Sequence, residues 1–191
     1  MNMWLQYLLA FTLKSRGRPR LALDDVARTP FRVLPTDIDM LGHLNNGRYL
    51  TYMDLGRVDF INRTGALAAM TRRKIYPVVG QASMAYRRSL DLWKPFAIET
   101  AIIGADERGI YLEQRFVVGG EVHARGVVQG RFIQRGHGAL KIPALVDVLS
   151  EAGIDVELPP MPEDAARWSQ RNALPPSKAP APSHWGGRKP C

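Results

Sequence analysis

The sequence predicts an α+β domain in which an antiparallel sheet wraps one long buried helix. Three observations predict it. The segment Gly47 to Gly65 is apolar around most of its circumference, so as a helix it is buried on several sides rather than lying on a surface. From Val78 to Gln134 the apolar spacing changes to two, the period of strands. An almost wholly apolar helix and a meandering sheet satisfy each other when the sheet wraps the helix.

The elements follow in order. Thr29 to Pro35 reads as a short first strand. The helix starts with Asn45 or Asn46 as its cap and stops near Gly65. Its apolar residues are Tyr49, Leu50, Tyr52, Met53, Leu55, Val58, Phe60 and Ile61. Val78 to Leu90 is a strand with Ala82, Met84 and Tyr86 on one face, and Phe96 to Ala105 is the next. Asp106-Glu107-Arg108-Gly109 is a turn, after which Ile110, Leu112, Phe116 and Val118 share a face. Gly119-Gly120 marks a hairpin, and the alternation resumes through Val122, Ala124, Gly126, Val128 and Phe132 to Gln134. Pro143 to Gly153 is a short helix with proline in its first turn. Residues 159–191 are rich in proline and poor in periodicity, which reads as a disordered or loosely docked tail, with Trp168 and Trp185 as its anchors. The chain therefore divides into an extension (1–28), a domain (29–158) and a tail (159–191).

Composition narrows the partners. Lys+Arg 26 against Asp+Glu 18 gives a net charge of +8, which favours anionic ligands. The basic residues are scattered without a dense run, which argues against a nucleic-acid partner. The single cysteine, Cys191, rules out an intrachain disulfide and suits a reducing, cytoplasmic compartment. The apolar run Met3 to Leu13 is too short to span a bilayer as a helix. Its basic residues, Lys14, Arg16, Arg18 and Arg20, follow the run, where a secretory signal would place them before it. Two readings stand for residues 1–20: a helix packing on its own domain or a dimer partner, or an interfacial anchor giving peripheral membrane contact.

The most informative stretch is Thr36 to Leu50. It sets Asp37 and Asp39, the turn residue Gly42, His43 and Asn45-Asn46 immediately before the apolar helix. A helix start carries unpaired N–H groups and a partial positive charge. A carboxylate in the loop feeding it can act on a carbonyl polarised by those N–H groups, an arrangement that suits ester or thioester hydrolysis. Taken by itself, Asp39 reads equally as a helix-entry cap. Asp37 reads as a turn cap or an arginine partner, and His43 as a loop-holding hydrogen-bonding group. Asp54 with Arg57 and Asp59 with Arg63 have the spacing of ordinary helix pairs.

The pattern Asp-x-Asp-x-x-Gly-His-x-Asn-Asn-x-x-Tyr, followed by a buried helix and four strands, resembles the hotdog-fold thioesterases of the 4-hydroxybenzoyl-CoA thioesterase type. Within them it is similar to the thioesterase superfamily member 6-like group. The resemblance covers about Thr29 to Gln134. It implies a curved sheet around the helix, a homodimer or homotetramer with active sites between subunits, and an acyl-CoA substrate. It places the catalytic carboxylate, nucleophile or general base, on Asp39. It places the carbonyl-polarising N–H near Asn46 and Gly47; His43, a further candidate, either holds the loop or binds the thioester region. By residue type Asn45 and Asn46 are chiefly helix caps, with Asn45 the candidate to line the pocket as well; Arg87 and Arg88 are candidates for the CoA phosphates or, equally, one exposed and one paired arginine at a strand end. An acyl-carrier-protein thioesterase and a non-catalytic acyl-CoA or lipid binder of the same fold are the alternatives. No Gly-x-Ser-x-Gly, dinucleotide or phosphate-loop motif is present, and the histidine spacing does not suit zinc, so neither metal nor redox cofactor is expected.

Overall fold

The computed structural model describes residues 17–176 and 178–182. The N-terminal apolar run and Trp185 lie outside the described residues. Strand β1 (Ala27–Arg32) precedes helix α1 (Asn46–Arg63) and the short α2 (Ala66–Arg72). Strands β2 (Ile75–Tyr86), β3 (Pro95–Ala105), β4 (Ile110–Val118), β5 (Glu121–Gln134) and β6 (Gly138–Leu140) follow, then α3 (Ile142–Glu151) and α4 (Glu163–Arg171). The sheet runs β1-β3-β4-β5-β2, antiparallel throughout, with β6 added to β5.

The sheet closes on α1 at glycines. A Cβ on Gly56 would sit 3.0 Å from Ile98 Cγ2 and 3.1 Å from Gln114 Nε2, so only glycine lets the helix approach this closely. Gln114 is wholly buried and ties the two layers together. Its Nε2 donates to the Met53 carbonyl at 2.9 Å and to Thr100 Oγ1 at 3.0 Å, while its Oε1 accepts from Arg57 at 2.6 Å. One half of the core packs Tyr49, Tyr52, Met53, Phe96 and Phe116 under the start of α1. The other packs Phe60, Met70, Leu112, Phe132, Leu145 and Leu149 beneath α3.

Several boundaries differ from the sequence reading, each for a local reason. Gly65, at φ 80, ends α1 but at once begins α2, a second helix that the spacing does not predict. The strand expected over Val78–Leu90 runs Ile75–Tyr86, because the N–H groups of Arg87 and Arg88 both turn onto the His123 carbonyl. The 59/63 spacing is not an ordinary surface pair. Asp59 is buried, with Thr29 Oγ1 at 2.7 Å, Arg18 Nη1 at 2.8 Å and Arg63 Nη1 at 3.5 Å. It fastens the segment before β1 to the helix.

The proline-rich segment is only partly the loose tail that its composition suggests. Within it, α4 lies on the sheet face away from α1. Ser169 Oγ meets the buried Tyr111 hydroxyl at 2.7 Å, and Gln81 Nε2 donates to the Ser169 carbonyl at 3.0 Å. Ala165 and Ser169 are buried there, Trp168 partly so. Among the described residues no helix is long and apolar enough to cross a membrane.

Strand β2 is the outermost on its side, and among the described residues no strand pairs with its outer edge. Tyr76, Val78, Val79 and Tyr86 are all substantially exposed along it, and Pro77 fits the edge position because its ring offers no N–H to a ladder.

Candidate active site

The loop between β1 and α1 is built around a buried carboxylate. Asp37 has no exposed surface. Its oxygens accept from Arg48 Nη2 at 2.6 Å, Arg48 Nε at 3.0 Å, the Tyr52 hydroxyl at 2.5 Å and the Leu34 N–H at 3.1 Å. With every oxygen engaged, Asp37 is a structural anchor: it clips the loop onto the first turns of α1. Burial and the Asp37 hydrogen bond push the Tyr52 hydroxyl far above the ordinary tyrosine range, so it stays a donor.

Asp39 sits differently. Its backbone brackets a tight turn, with its N–H on the His43 carbonyl at 2.9 Å and the Gly42 N–H on its own carbonyl at 3.1 Å. Gly42 takes φ 76 to close the turn. Asp39 Oδ1 accepts the Leu41 N–H at 2.9 Å. Among the described residues nothing donates to Oδ2, and the residue is partly exposed. Asp39 therefore has a fixed carboxylate with one oxygen available.

The helix start selects one of the two expected N–H groups. Asn45 is the cap. Its N–H donates to the Asp37 carbonyl at 2.9 Å, and its Oδ1 accepts the Gly47 N–H at 2.9 Å. The Gly47 N–H is thereby occupied. Among the described residues the Asn46 N–H has no acceptor, leaving it as the donor at the positive end of α1. His43 is partly exposed, its Nε2 3.6 Å from Asp91 Oδ1. It bridges antiparallel to Asp91, while the Leu44 N–H donates to the Leu90 carbonyl at 2.8 Å.

Three residues join the site that the motif did not single out for chemistry. Tyr49 is buried against Phe116, with ring centroids 4.8 Å apart, and against Tyr86 at 5.0 Å. Burial foremost, then the charges of Tyr86, Asp39 and Asp91, push its hydroxyl up to about 12. Tyr86 reaches from the end of β2, its hydroxyl 3.4 Å from the Asn46 carbonyl. Asp91 arrives through the loop register, and no local sequence signal marks it. Arg87 and Arg88 follow Tyr86 at this end of the sheet. Both are more than half exposed and pair with Glu121, at 3.2 Å and 2.6 Å. Among the described residues no group of three His, Cys, Asp or Glu side chains could hold a metal.

The geometry thus offers an available carboxylate oxygen and a helix-start N–H on one loop. These are the two kinds of group, an attacking or activating oxygen and an oxyanion donor, that acyl transfer needs.

Comparison with known proteins agrees with this architecture. The thioesterase-like superfamily matches residues 33–169. A curated relative, Protein THEM6 of Xenopus laevis, is 35% identical over 140 residues, covering 73% of this chain and 65% of that protein. The matched stretch thus falls just short of two thirds of that relative's own length. The probable thioesterase YbaW of Escherichia coli superposes with a TM-score of 0.60 at 24% identity, covering 65% of this chain and 96% of that one. The gentisyl-coenzyme A thioesterase BH1999 gives 0.57 at 24% identity, over 64% and 98%. These superpositions carry the fold alone. The extent of the family match carries the assignment: the chain belongs to the thioesterase-like superfamily, with the hotdog fold.

Proposed function

We propose that the protein hydrolyses an acyl-CoA thioester to the free acid and CoA. The observation that supports this most is that one loop and the helix start it feeds carry both the available Asp39 Oδ2 and the Asn46 N–H, which among the described residues has no acceptor. In this reading the thioester carbonyl oxygen rests on the Asn46 N–H. Asp39 either takes a proton from an attacking water or attacks the carbonyl carbon itself. In both routes the C–S bond breaks, CoA leaves as the thiolate and takes up a proton, and water supplies the new acid oxygen. Tyr49 and Tyr86 wall the site with aromatic surface, and neutral Tyr49 adds no competing charge beside Asp39. The structural neighbour BH1999 is a gentisyl-coenzyme A thioesterase, which supports CoA over a carrier protein as the thiol.

The acting form is proposed to be at least a dimer. A β2 edge that is apolar and, among the described residues, unpaired is a template for a second chain, and its Tyr86 end reaches the helix start where Asn46 lies. Residues 1–20 are proposed to give peripheral membrane contact.

The test is a thiol-release assay over a panel of acyl-CoA chain lengths, alongside acyl-carrier-protein thioesters. Turnover of acyl-CoA that is lost in Asp39→Asn supports the reading. Tight acyl-CoA binding without turnover would replace it with a binding protein, and a preference for the carrier-protein thioesters would replace the substrate.

A further inference from the structure

We propose that the tip of the Asp39 loop inserts into a lipid bilayer, so that the candidate active site works against a membrane surface.

Two tight turns form this tip. The Gly42 N–H closes one on the Asp39 carbonyl, and the Lys94 N–H closes the other on the Asp91 carbonyl at 3.0 Å. Their central pairs are Met40-Leu41 and Leu92-Trp93. Central turn positions favour glycine, proline, asparagine, aspartate and serine, yet all four residues here are large and apolar. Met40 is fully exposed, Leu41 78%, Trp93 52% and Leu92 37%. The antiparallel bridge between His43 and Asp91 sets the two turns side by side, so the four residues gather at one end of the molecule, beside Asp39.

Trp93 is held there against its own preference. It takes φ 63 at the third position of its turn, where a positive φ calls for glycine or asparagine. For a bulky residue this conformation is strained. The end of β1 imposes it from both sides. The Trp93 N–H donates to the Val33 carbonyl at 3.0 Å, and the Val33 N–H to the Lys94 carbonyl at 3.1 Å. Arg32 Nη1 donates to the Trp93 carbonyl at 2.8 Å. A half-exposed indole returns little burial energy to the fold for this strain, which points to a use outside the fold.

A bilayer is the partner this chemistry fits. Exposed apolar patches mark contact with proteins or with membranes. Here the apolar residues stand on two narrow turns rather than across a flat face, a shape that enters lipid more readily than it covers a partner. Tryptophan favours the headgroup level, and leucine and methionine the boundary with the acyl chains. Arg32 is exposed and Lys94 partly so, and among the described residues no carboxylate pairs with either. Asp91, at the base of the second turn, is engaged by His43 at 3.6 Å and by Ser89 at 3.1 Å. The two cations add attraction to anionic headgroups. The tip is separate from residues 1–20 and independent of the acyl-CoA reading, which it complements: Asp39 adjoins Met40, so an amphiphilic thioester would meet the carboxylate from the bilayer.

The full chain carrying Cys191→Ser, with one new cysteine at a time labelled by an NBD fluorophore, tests this. Leu41→Cys and Leu92→Cys report on the tip. Ala152→Cys, exposed at the end of α3, is the remote control. With vesicles of phosphatidylcholine and phosphatidylserine, emission from both tip probes is expected to shift to the blue and to be quenched by brominated lipid chains, while the control stays unchanged. The variant Met40→Gln/Leu41→Gln/Trp93→Asn is expected to lower partition of the unlabelled chain onto these vesicles by about tenfold or more. Asparagine tolerates a positive φ, so this variant should melt close to the parent. Tip probes that do not respond to the vesicles overturn the proposal, and so does parental partition in the folded variant. A tip probe already blue-shifted without lipid, and losing that shift on dilution, overturns it in favour of a contact between copies of this chain. A shift with an acyl-carrier protein but not with vesicles overturns it in favour of a protein partner. No outcome depends on turnover, so the result stands apart from that of the acyl-CoA assay.

Discussion

Asn45 Oδ1 accepts the Gly47 N–H at 2.9 Å, and so leaves Asn46 as the residue whose N–H faces outward from the start of α1. A cap usually serves stability alone. Here it also decides which backbone donor remains for a ligand. Asn45→Ala removes the cap bond and is expected to cost about 1 kcal/mol, lowering Tm by about 2–4 °C. Because the Asn46 N–H is untouched, kcat in the thiol-release assay should stay within a few fold of the parent. A collapse of kcat at unchanged fold would place the oxyanion donor elsewhere.

The two aspartates of the motif should respond differently. Asp37→Ala leaves Arg48 without its buried partner and Tyr52 without its acceptor, and is expected to destabilise the chain by about 3–5 kcal/mol. Chemical denaturation reads this directly. A loss under about 1 kcal/mol, the scale of an exposed pair, would contradict the anchor role.

Alkaline pH should unfold the protein more readily than its composition suggests. Tyr49 ionises near 12 in the fold and near 10 when unfolded. Above pH 10 the unfolded chain releases a proton that the fold retains, so stability falls as pH rises from 10 to 12. This group adds no such slope below 10. The slope from this group is about 1 kcal/mol per pH unit. Tyr49→Phe should make it shallower by about that amount, leaving the slope that the raised Tyr52 hydroxyl contributes, as seen in denaturation midpoints measured across that window. An unchanged slope would show that Tyr49 is not the group responsible.

The docking of α4 rests on a close approach. A Cβ on Gly104 would lie 2.8 Å from Met161 Cα. That is a backbone atom, which cannot swing aside. Gly104→Val is therefore expected to cost about 1–3 kcal/mol and to release α4 to limited proteolysis. Unaltered protease resistance would show that α4 holds without this contact.

Much of this arrangement is legible in the sequence. Period-two apolar spacing from Val78 onward marks the sheet, and the continuous apolar surface around Tyr49, Met53 and Phe60 marks a buried helix. The loop motif puts Asp39, His43 and Asn45 together because they are local. What stays hidden depends on long-range register. Asp91 enters the site only through its bridge to His43, and Tyr86 only because β2 pairs with β5 in the register that sets it opposite Ala124. Helix α4 escapes because its packing surface is small: Ala165 and Ser169 are small residues in a proline-rich stretch that reads as a loose tail, yet Ser169 bonds to Tyr111. Choosing between Asn46 and Gly47 needs a side-chain orientation at Asn45, which spacing does not reveal.

The most direct test of the account is kcat for Asp39→Asn against the parent on the best acyl-CoA of the panel, both proteins folded by circular dichroism and matched in oligomeric state. Asp39 contributes only one turn bond to the fold through its side chain, so the variant should melt within a few degrees of the parent. Its kcat should fall by about 10³-fold, the scale of losing a positioned base or nucleophile. A folded Asp39→Asn protein that turns over acyl-CoA at close to the parental rate would contradict the assignment of Asp39 as the reacting carboxylate.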